Sequence, residues 1–203
     1  MNNLSNTAKK LDRVFDIVHI VLGALAIACL VFVGLISAAY ILKWNPEFIG
    51  THYTSFELGF LEVQVADAYS PDKWLVLLQA AITLFVSAFF LYDSRRGVGY
   101  IRSILHPMIE EKPFDSTVST NLGKLAKLSI RLGILYNIII LSEQIISVFV
   151  YKLPELLISE KITHVTGMFR VDLSFLVCWA ILMLLGYVFR HGEQLQQLSD
   201  ETL

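Results

Sequence analysis

Glu143 is the one formal charge inside four long apolar stretches of this chain. A charged side chain at the centre of a membrane costs roughly 2.5–3.5 kcal/mol on insertion scales, so a carboxyl there must turn towards protein and needs a partner. Tyr136, Asn137, Ile140, Glu143, Gln144 and Ser147 fall on one broad face at helical spacing. A second polar stripe, Gln79, Thr83 and Ser87, repeats every four residues. The two stretches run in opposite directions, which brings Gln79 and Thr83 to the depth of Glu143. Glu143, Gln144, Asn137, Gln79 and Thr83 are therefore the predicted intramembrane polar cluster. Interhelical hydrogen bonds of this kind are worth about 0.6–2 kcal/mol and can serve as plain structural glue. Intramembrane carboxylates also mark ion and proton paths. One carboxylate with no basic partner at mid-depth fits glue better, and a proton-coupled carrier remains the alternative.

Other reactive residue types do not assemble into a site. Asp16 and His19 lie one turn apart with Arg13 a turn earlier, the spacing of an interfacial ion-pair cluster. A membrane haem needs two facing histidines, and only His19 falls within an apolar stretch. Cys29 and Cys178 both sit inside apolar stretches, read as small packing residues, and have no metal-type spacing. There is no phosphate loop, zincin motif or nucleophile elbow. A non-enzymatic protein without cofactor or metal is expected.

The elements that position these residues are set by composition. Of 203 residues, 55% are hydrophobic and 17% charged, with a mean hydropathy of +0.61. Average soluble domains are about 25% charged. The apolar excess is concentrated in 17–42, 74–92, 132–151 and 173–189. Crossing hydrocarbon takes about 20 apolar residues in a helix. The expected fold is thus an all-α membrane protein, a single domain of four transmembrane helices. The first stretch is too long for the core of a signal peptide, which is about 7–15 residues. It also contains Ala24/Ala28 and Gly34/Ala38, small pairs that permit close helix packing.

Lys and Arg set the orientation. The N-terminal segment has three, the loop 93–131 has seven and the tail 190–203 has one, together eleven of the sixteen. Both termini are expected in the cytoplasm, in a plasma (inner) membrane. The outer loops are then 43–73 and 152–172. In the first, Phe56, Leu58 and Phe60 alternate with Glu57 and Gly59, and Val63 and Val65 with Glu62, Gln64 and Ala66. This is strand periodicity with a slip near Leu61 where a bulge fits. Ile162–Val165 and Met168–Val171 read as short strands as well, so a small β-containing outer cap is expected.

The cytoplasmic loop is patterned too. Ile101, Ile104, Leu105, Met108 and Ile109 recur at helical spacing, extending the second helix along the inner leaflet until Pro107 bends or ends it. Arg95, Arg96 and Arg102 are expected to face lipid headgroups. Asp115 or Ser116 should cap the third helix near Ser116, with Phe114 as a hydrophobic staple. In the tail, Gly192 reads as the end or a flex point of the fourth helix. Leu195 and Leu198 give a short amphipathic extension, and Asp200 and Glu201 oppose the dipole, so the last turn should fray.

"ILHPMIEEKPF" (Ile104–Phe114), with Leu122 and Leu125 in the helix after it, and "FRHGEQLQQLSDETL" at the end resemble bacterial membrane proteins of the domain of unknown function 2975 family. The resemblance covers most of the chain and includes the four-span layout with a long first outer loop. It implies a membrane partner that holds or controls a small cytoplasmic helix-turn-helix DNA-binding protein. The expected function is a non-enzymatic membrane regulator or sensor that binds no nucleic acid itself. Its candidate docking residues are Phe114, Lys124, Lys127, Leu195, Leu198, Asp200 and Glu201; the tail acids could also meet Lys112, Lys124 or Lys127. On this reading, proteoliposomes holding the wild-type chain should show no pH-dependent flux above empty vesicles. A flux that Glu143→Gln abolishes would make the carrier the correct reading.

Overall fold

In the computed structural model the described residues form four long helices and a three-stranded sheet. The structure describes residues 2–44, 53–58, 61–69, 72–110, 112, 114–150, 162–167 and 172–201, with the side chains of 6–44, 72–110, 112, 114–141, 145–146, 172–199 and 201. The order is α1 (Asn2–Ile41), β1 (Tyr53–Leu58), β2 (Leu61–Tyr69), α2 (Lys73–Ile109), α3 (Ser116–Val150), β3 (Ile162–Gly167) and α4 (Ser174–Glu201). Three helices are long and apolar enough to cross a membrane: Asn6–Ile41, Lys73–Ile109 and Ser174–Ser199, with mean hydropathies of 2.8, 2.2 and 1.6 over their most apolar windows. Almost nothing of those windows is buried within the protein. Side chains such as Ile20, Ile27, Phe32, Val177 and Leu184 stand open along them, an apolar surface far larger than a water-soluble monomer exposes. The chain is a helical membrane protein.

The helices overrun the apolar stretches that the sequence marks. A helix gains one hydrogen bond per added residue, so it continues past the edge of the apolar stretch wherever polar residues find partners. α1 begins at Asn2, well before the apolar stretch that starts at residue 17, and α2 runs past residue 92 to Ile109, the continuation that the helical spacing of Ile101, Ile104, Leu105, Met108 and Ile109 predicts. Helix α2 stops two residues after Pro107, and the Lys112 N–H closes the end on the Pro107 carbonyl (2.9 Å). At the other end of α1, Lys43 adopts φ 52°. Its N–H bonds the Tyr40 carbonyl while the Trp44 N–H reaches Ala39, the paired closure of a left-handed C-terminal cap. Asp115 caps α3, its Oδ1 accepting the Thr117 N–H at 2.8 Å. The Thr117 side chain and backbone, helped by the Lys112 charge, hold the Asp115 carboxyl below the usual carboxylate range. The cap is therefore fully present at neutral pH and is lost only as acid protonates that carboxyl.

Two compact units divide the chain: one comprises Met1–Ala26, Phe90–Leu135 and Leu173–Leu203, the other Ile27–Phe89 and Tyr136–Asp172. In the first, the four helix segments pack in sequence order and antiparallel. Residues 12, 16, 19 and 23 form one stripe of α1 and meet α2 at Arg102 and Arg95. A second stripe of α2, Asp93, Gly97 and Tyr100, meets Arg131, Leu128 and Lys124 of α3. The apolar core is small and lies here, with Ile104, Val118 and Leu122 packed against Met108, Leu182 and Phe189. Helix α4 continues through Gly192 to Glu201, where the sequence suggested a break. The cause is tertiary. A Cβ at Gly192 would lie 2.5 Å from the Phe114 ring, so glycine is required there for contact rather than flexibility. Phe114 thus packs on α4 (5.9 Å between its ring centroid and that of Phe189) instead of stapling its own helix.

Close approach is also not where the small pairs of α1 suggested. A Cβ at Gly34 would meet open space, and Ala24 and Ala38 are exposed. It occurs at Gly133, whose missing side chain is replaced by the Phe175 ring of α4.

In the second unit, β1, β2 and β3 form an antiparallel sheet in that order. The register pairs Phe56 with Val63 and Val63 with Val165, and Glu57 with Glu62 and Glu62 with Thr166, so the alternation of the sequence is carried across the sheet. The irregularities lie between Tyr53 and Ser55 and between Gln64 and Val65, not at Leu61, which pairs with Leu58 and Gly167. Segment 168–171 lies outside the described residues. Asp72 caps α2 by accepting the Trp74 N–H (2.8 Å), and the Trp74 ring meets Tyr40 edge-on at 5.2 Å.

Gly133→Ala should lower the thermal midpoint in mild detergent, since overpacking costs about 1–3 kcal/mol. Phe175→Ala should relieve it. Independent, additive effects of the two substitutions would contradict the packing described.

Candidate functional site

The residues with chemistry gather at the polar ends of α1 to α4 in the first unit. Arg102 of α2 reaches two acids of α1: Nε donates to Asp12 Oδ1 at 2.9 Å and Nη1 to Asp16 Oδ1. The sequence pointed Arg13 at Asp16, yet Asp16 pairs across the helix interface. One turn on, Arg95 Nε donates to His19 Nε2 (3.0 Å), while His19 Nδ1 is 3.2 Å from the Arg95 carbonyl. These two contacts fit the tautomer with its proton on Nδ1. The expectation that Arg95, Arg96 and Arg102 face headgroups therefore fails for Arg95 and Arg102, whose guanidinium groups are committed to α1. Arg96 remains half-exposed, its guanidinium 5.7 Å from the Tyr92 ring centroid.

Among the described residues Asp93 is the most enclosed polar one, 2% exposed. Arg131 Nε lies 2.9 Å from its Oδ2 and Arg96 Nη1 3.8 Å from its Oδ1. The contacts are electrostatic: neither oxygen receives a well-aligned hydrogen bond among the described residues. The half-solvated pairs to Arg102 fall in the class worth about 0.2–1 kcal/mol each. A buried carboxylate that loses its counter-charge is a larger matter, up to roughly 3 kcal/mol or more. Asp93 and Arg131 thus dominate the electrostatics of this end. Neither stands out in the sequence as a chemical group, because both lie at the edges of apolar stretches. The available signal was the repeat 93, 97, 100 on α2 beside 95, 102, one set for each neighbour.

The predicted intramembrane cluster is distributed otherwise. Asn137 spends its amide on the chain entering α4: Nδ2 donates to the Asp172 carbonyl (2.9 Å) and Oδ1 accepts the Asp172 N–H (3.1 Å). Gln79 and Thr83 are half-buried on α2. The side chains of Glu143 and Gln144 lie outside the described residues.

The predicted docking residues do come together in part. Phe114 joins the loop to α4 through Phe189 and Gly192. Ser119 Oγ donates to Glu193 Oε2 at 3.4 Å beside it. Leu195 and Leu198 are 56% and 60% exposed, and Glu201 is exposed. Lys127 is exposed, while Lys124 leans over the Tyr100 ring of α2 at 5.9 Å. The Asp200 side chain lies outside the described residues. Between α3 and α4 an open groove of about 500 Å³ runs from Leu182 and Met183 to Arg190 and Glu193.

Arg131→Ala should destabilise the detergent-solubilised protein by roughly 3 kcal/mol, more than Arg102→Ala, and Asp93→Asn should recover part of the loss by removing the uncompensated charge. Equal effects at 131 and 102 would show that Asp93 is not the dominant charge. Compared with known protein families, curated proteins and solved structures, the chain matches none of them.

Proposed function

We propose that this chain is a four-span plasma-membrane protein with both termini in the cytoplasm, acting as a non-enzymatic regulator that docks a cytoplasmic partner. Helix α3 supplies the fourth span, its apolar stretch beginning at Leu132. The N-terminal segment, the α2–α3 connection 93–131 and the tail 190–203 hold eleven of the sixteen Lys and Arg residues, the distribution of a cytoplasmic side. The sheet β1–β3 then belongs to the outer cap.

The observation that carries the docking role is Phe114 seated on Phe189 and Gly192. It makes one folded platform of the loop and the tail, the two segments that carry the family resemblance. A loose tail would lose conformational entropy on binding, whereas a helix already held in place presents Leu195 and Leu198 at fixed spacing. The partner is a small helix-turn-helix DNA-binding protein of the kind the resemblance implies. Such a partner would lay an apolar patch on the two leucines, with basic residues towards Glu201.

A fluorescent protein fused after Leu203 should fluoresce, whereas a periplasmic reporter at that position should stay inactive. Leu195→Glu with Leu198→Glu should reduce co-purification of a small helix-turn-helix DNA-binding partner at least tenfold, about 1.4 kcal/mol, with membrane insertion unchanged. Capture and reporter output unaltered by this pair, or by deleting residues 192–203, would refute the docking role.

A further inference from the structure

A second groove, of about 510 Å³, lies within the Ile27–Phe89 part of the second unit, between the last turns of α1 and the first turns of α2. Its size falls in the range of small-molecule sites, about 300–1,000 Å³. Ile36 of α1 and Leu75 and Leu78 of α2 give it an aliphatic lining. Tyr40 and Trp74 stand where the apolar stretches 17–42 and 74–92 end, with their rings 5.2 Å apart and at 84° to each other. Rings at right angles leave a corner with a π-face on each side. Asp72 carries the only charge among the described residues that line the groove; Lys43 and Lys73 do not reach it. The Asp72 Oδ1 accepts the Trp74 N–H at 2.8 Å, which holds the carboxylate at the start of α2. Among the described residues no cation pairs with it. The carbonyl end of α1 favours a cation here and the amide end of α2 opposes one, so the two dipoles offset and Asp72 sets the sign of the charge.

We propose that this groove binds a lipophilic organic cation, an onium centre carried on a bulky apolar body. The onium centre lies in the corner of Tyr40 and Trp74, where the π-faces and the Asp72 carboxylate both attract positive charge. The apolar body lies along Ile36, Leu75 and Leu78. A primary ammonium brings three N–H groups that need acceptors, whereas an onium centre without N–H leaves no donor unsatisfied in an aliphatic and aromatic lining. An anion of the same shape meets both the carboxylate and the negative ring faces. The site goes beyond the docking role and does not depend on it. Binding is read on the purified chain alone, so its failure leaves the role of the tail untouched.

The test is equilibrium dialysis of radiolabelled tetraphenylphosphonium against the full chain in a non-ionic detergent, with protein-free micelles as the blank. Tetraphenylphosphonium should occupy a single saturable site. Tetraphenylborate, nearly the same size and shape but negative, should show no saturable binding when tested separately. Asparagine caps a helix as well as aspartate does, so Asp72→Asn should keep the melting midpoint while weakening binding about fivefold, the ratio of one exposed charge contact. Trp74→Leu should also weaken it about fivefold by removing a π-face, and Trp74→Phe should restore most of the loss. Tetraphenylborate binding of equal affinity, tetraphenylphosphonium uptake no greater than that of the blank, or a Kd that Asp72→Asn or Trp74→Leu leaves unchanged would each overturn the proposal. A groove that simply holds a hydrocarbon chain is blind to the sign of charge and would give one of these outcomes.

Discussion

Helix α2 has to satisfy two neighbours at once, and the way it divides its residues between them fixes the register of the first unit. Positions 95 and 102 go to α1, and positions 93, 97 and 100 go to α3. Seven residues make two turns, so each set stays on its own side for the length of the contact. The charges are opposite on each side: arginines of α2 meet Asp12 and Asp16, and an aspartate of α2 meets Arg131. A slide of one turn along the α1 interface would cost Arg102 one of its two aspartates, and a slide along the α3 interface would take Asp93 off Arg131, towards Lys127 in one direction and apolar Leu135 in the other. Half-exposed ion pairs add little stability here, so charge holds the register chiefly through the buried Asp93 and its cation.

That selection is needed because the rest of the helical surface is undiscriminating. In lipid, apolar side chains gain nothing by leaving hydrocarbon for one another, so helix association rests on close packing and polar contacts. The buried residues follow this rule. Val118 and Ala126 are fully enclosed and Leu122 nearly so, all on α3 between Ser116 and Arg131, whereas Ile20, Ile27 and Phe32 stay open along α1. Close approach occurs where Phe175 and Phe114 take the space that side chains at Gly133 and Gly192 would fill.

Membrane character and three of the expected spans were legible in the sequence, because about twenty apolar residues without charge have few other solutions. The start of α3 was legible as well, since Asp115 is a local cap whose partner, Thr117, is two residues away. Strand positions followed from alternation, although the slips did not, because register depends on the partner strand. What could not be read was any pairing between distant residues. Asp16 has an arginine one turn before it in sequence, and the nearer partner is a poor guide when another helix supplies Arg102. Asn137 looked like one member of a polar cluster, but its amide matches both backbone groups of Asp172, a residue 35 positions later. Asp93, the most enclosed charge among the described residues, looked like the first residue of a loop.

The tail shows the same limit from the other side. Local rules argue against a helix past residue 191. A glycine costs about 1 kcal/mol in a helix interior, and an acidic residue in the last turn opposes the dipole by about 0.3–1 kcal/mol. The helix nevertheless reaches Glu201. Two contacts outweigh the local penalties: the Phe114 ring against Gly192 and Phe189, and Ser119 against Glu193. Burying an aromatic ring is worth about 1.5–3 kcal/mol when complete, and even the partial burial of Phe114 is comparable with the deficit. The glycine that breaks the helix on propensity is therefore what allows it to continue, because only there can the ring of the preceding loop reach the α4 backbone. The tail's helix is a tertiary product of the loop, and a change in either segment is felt by the other.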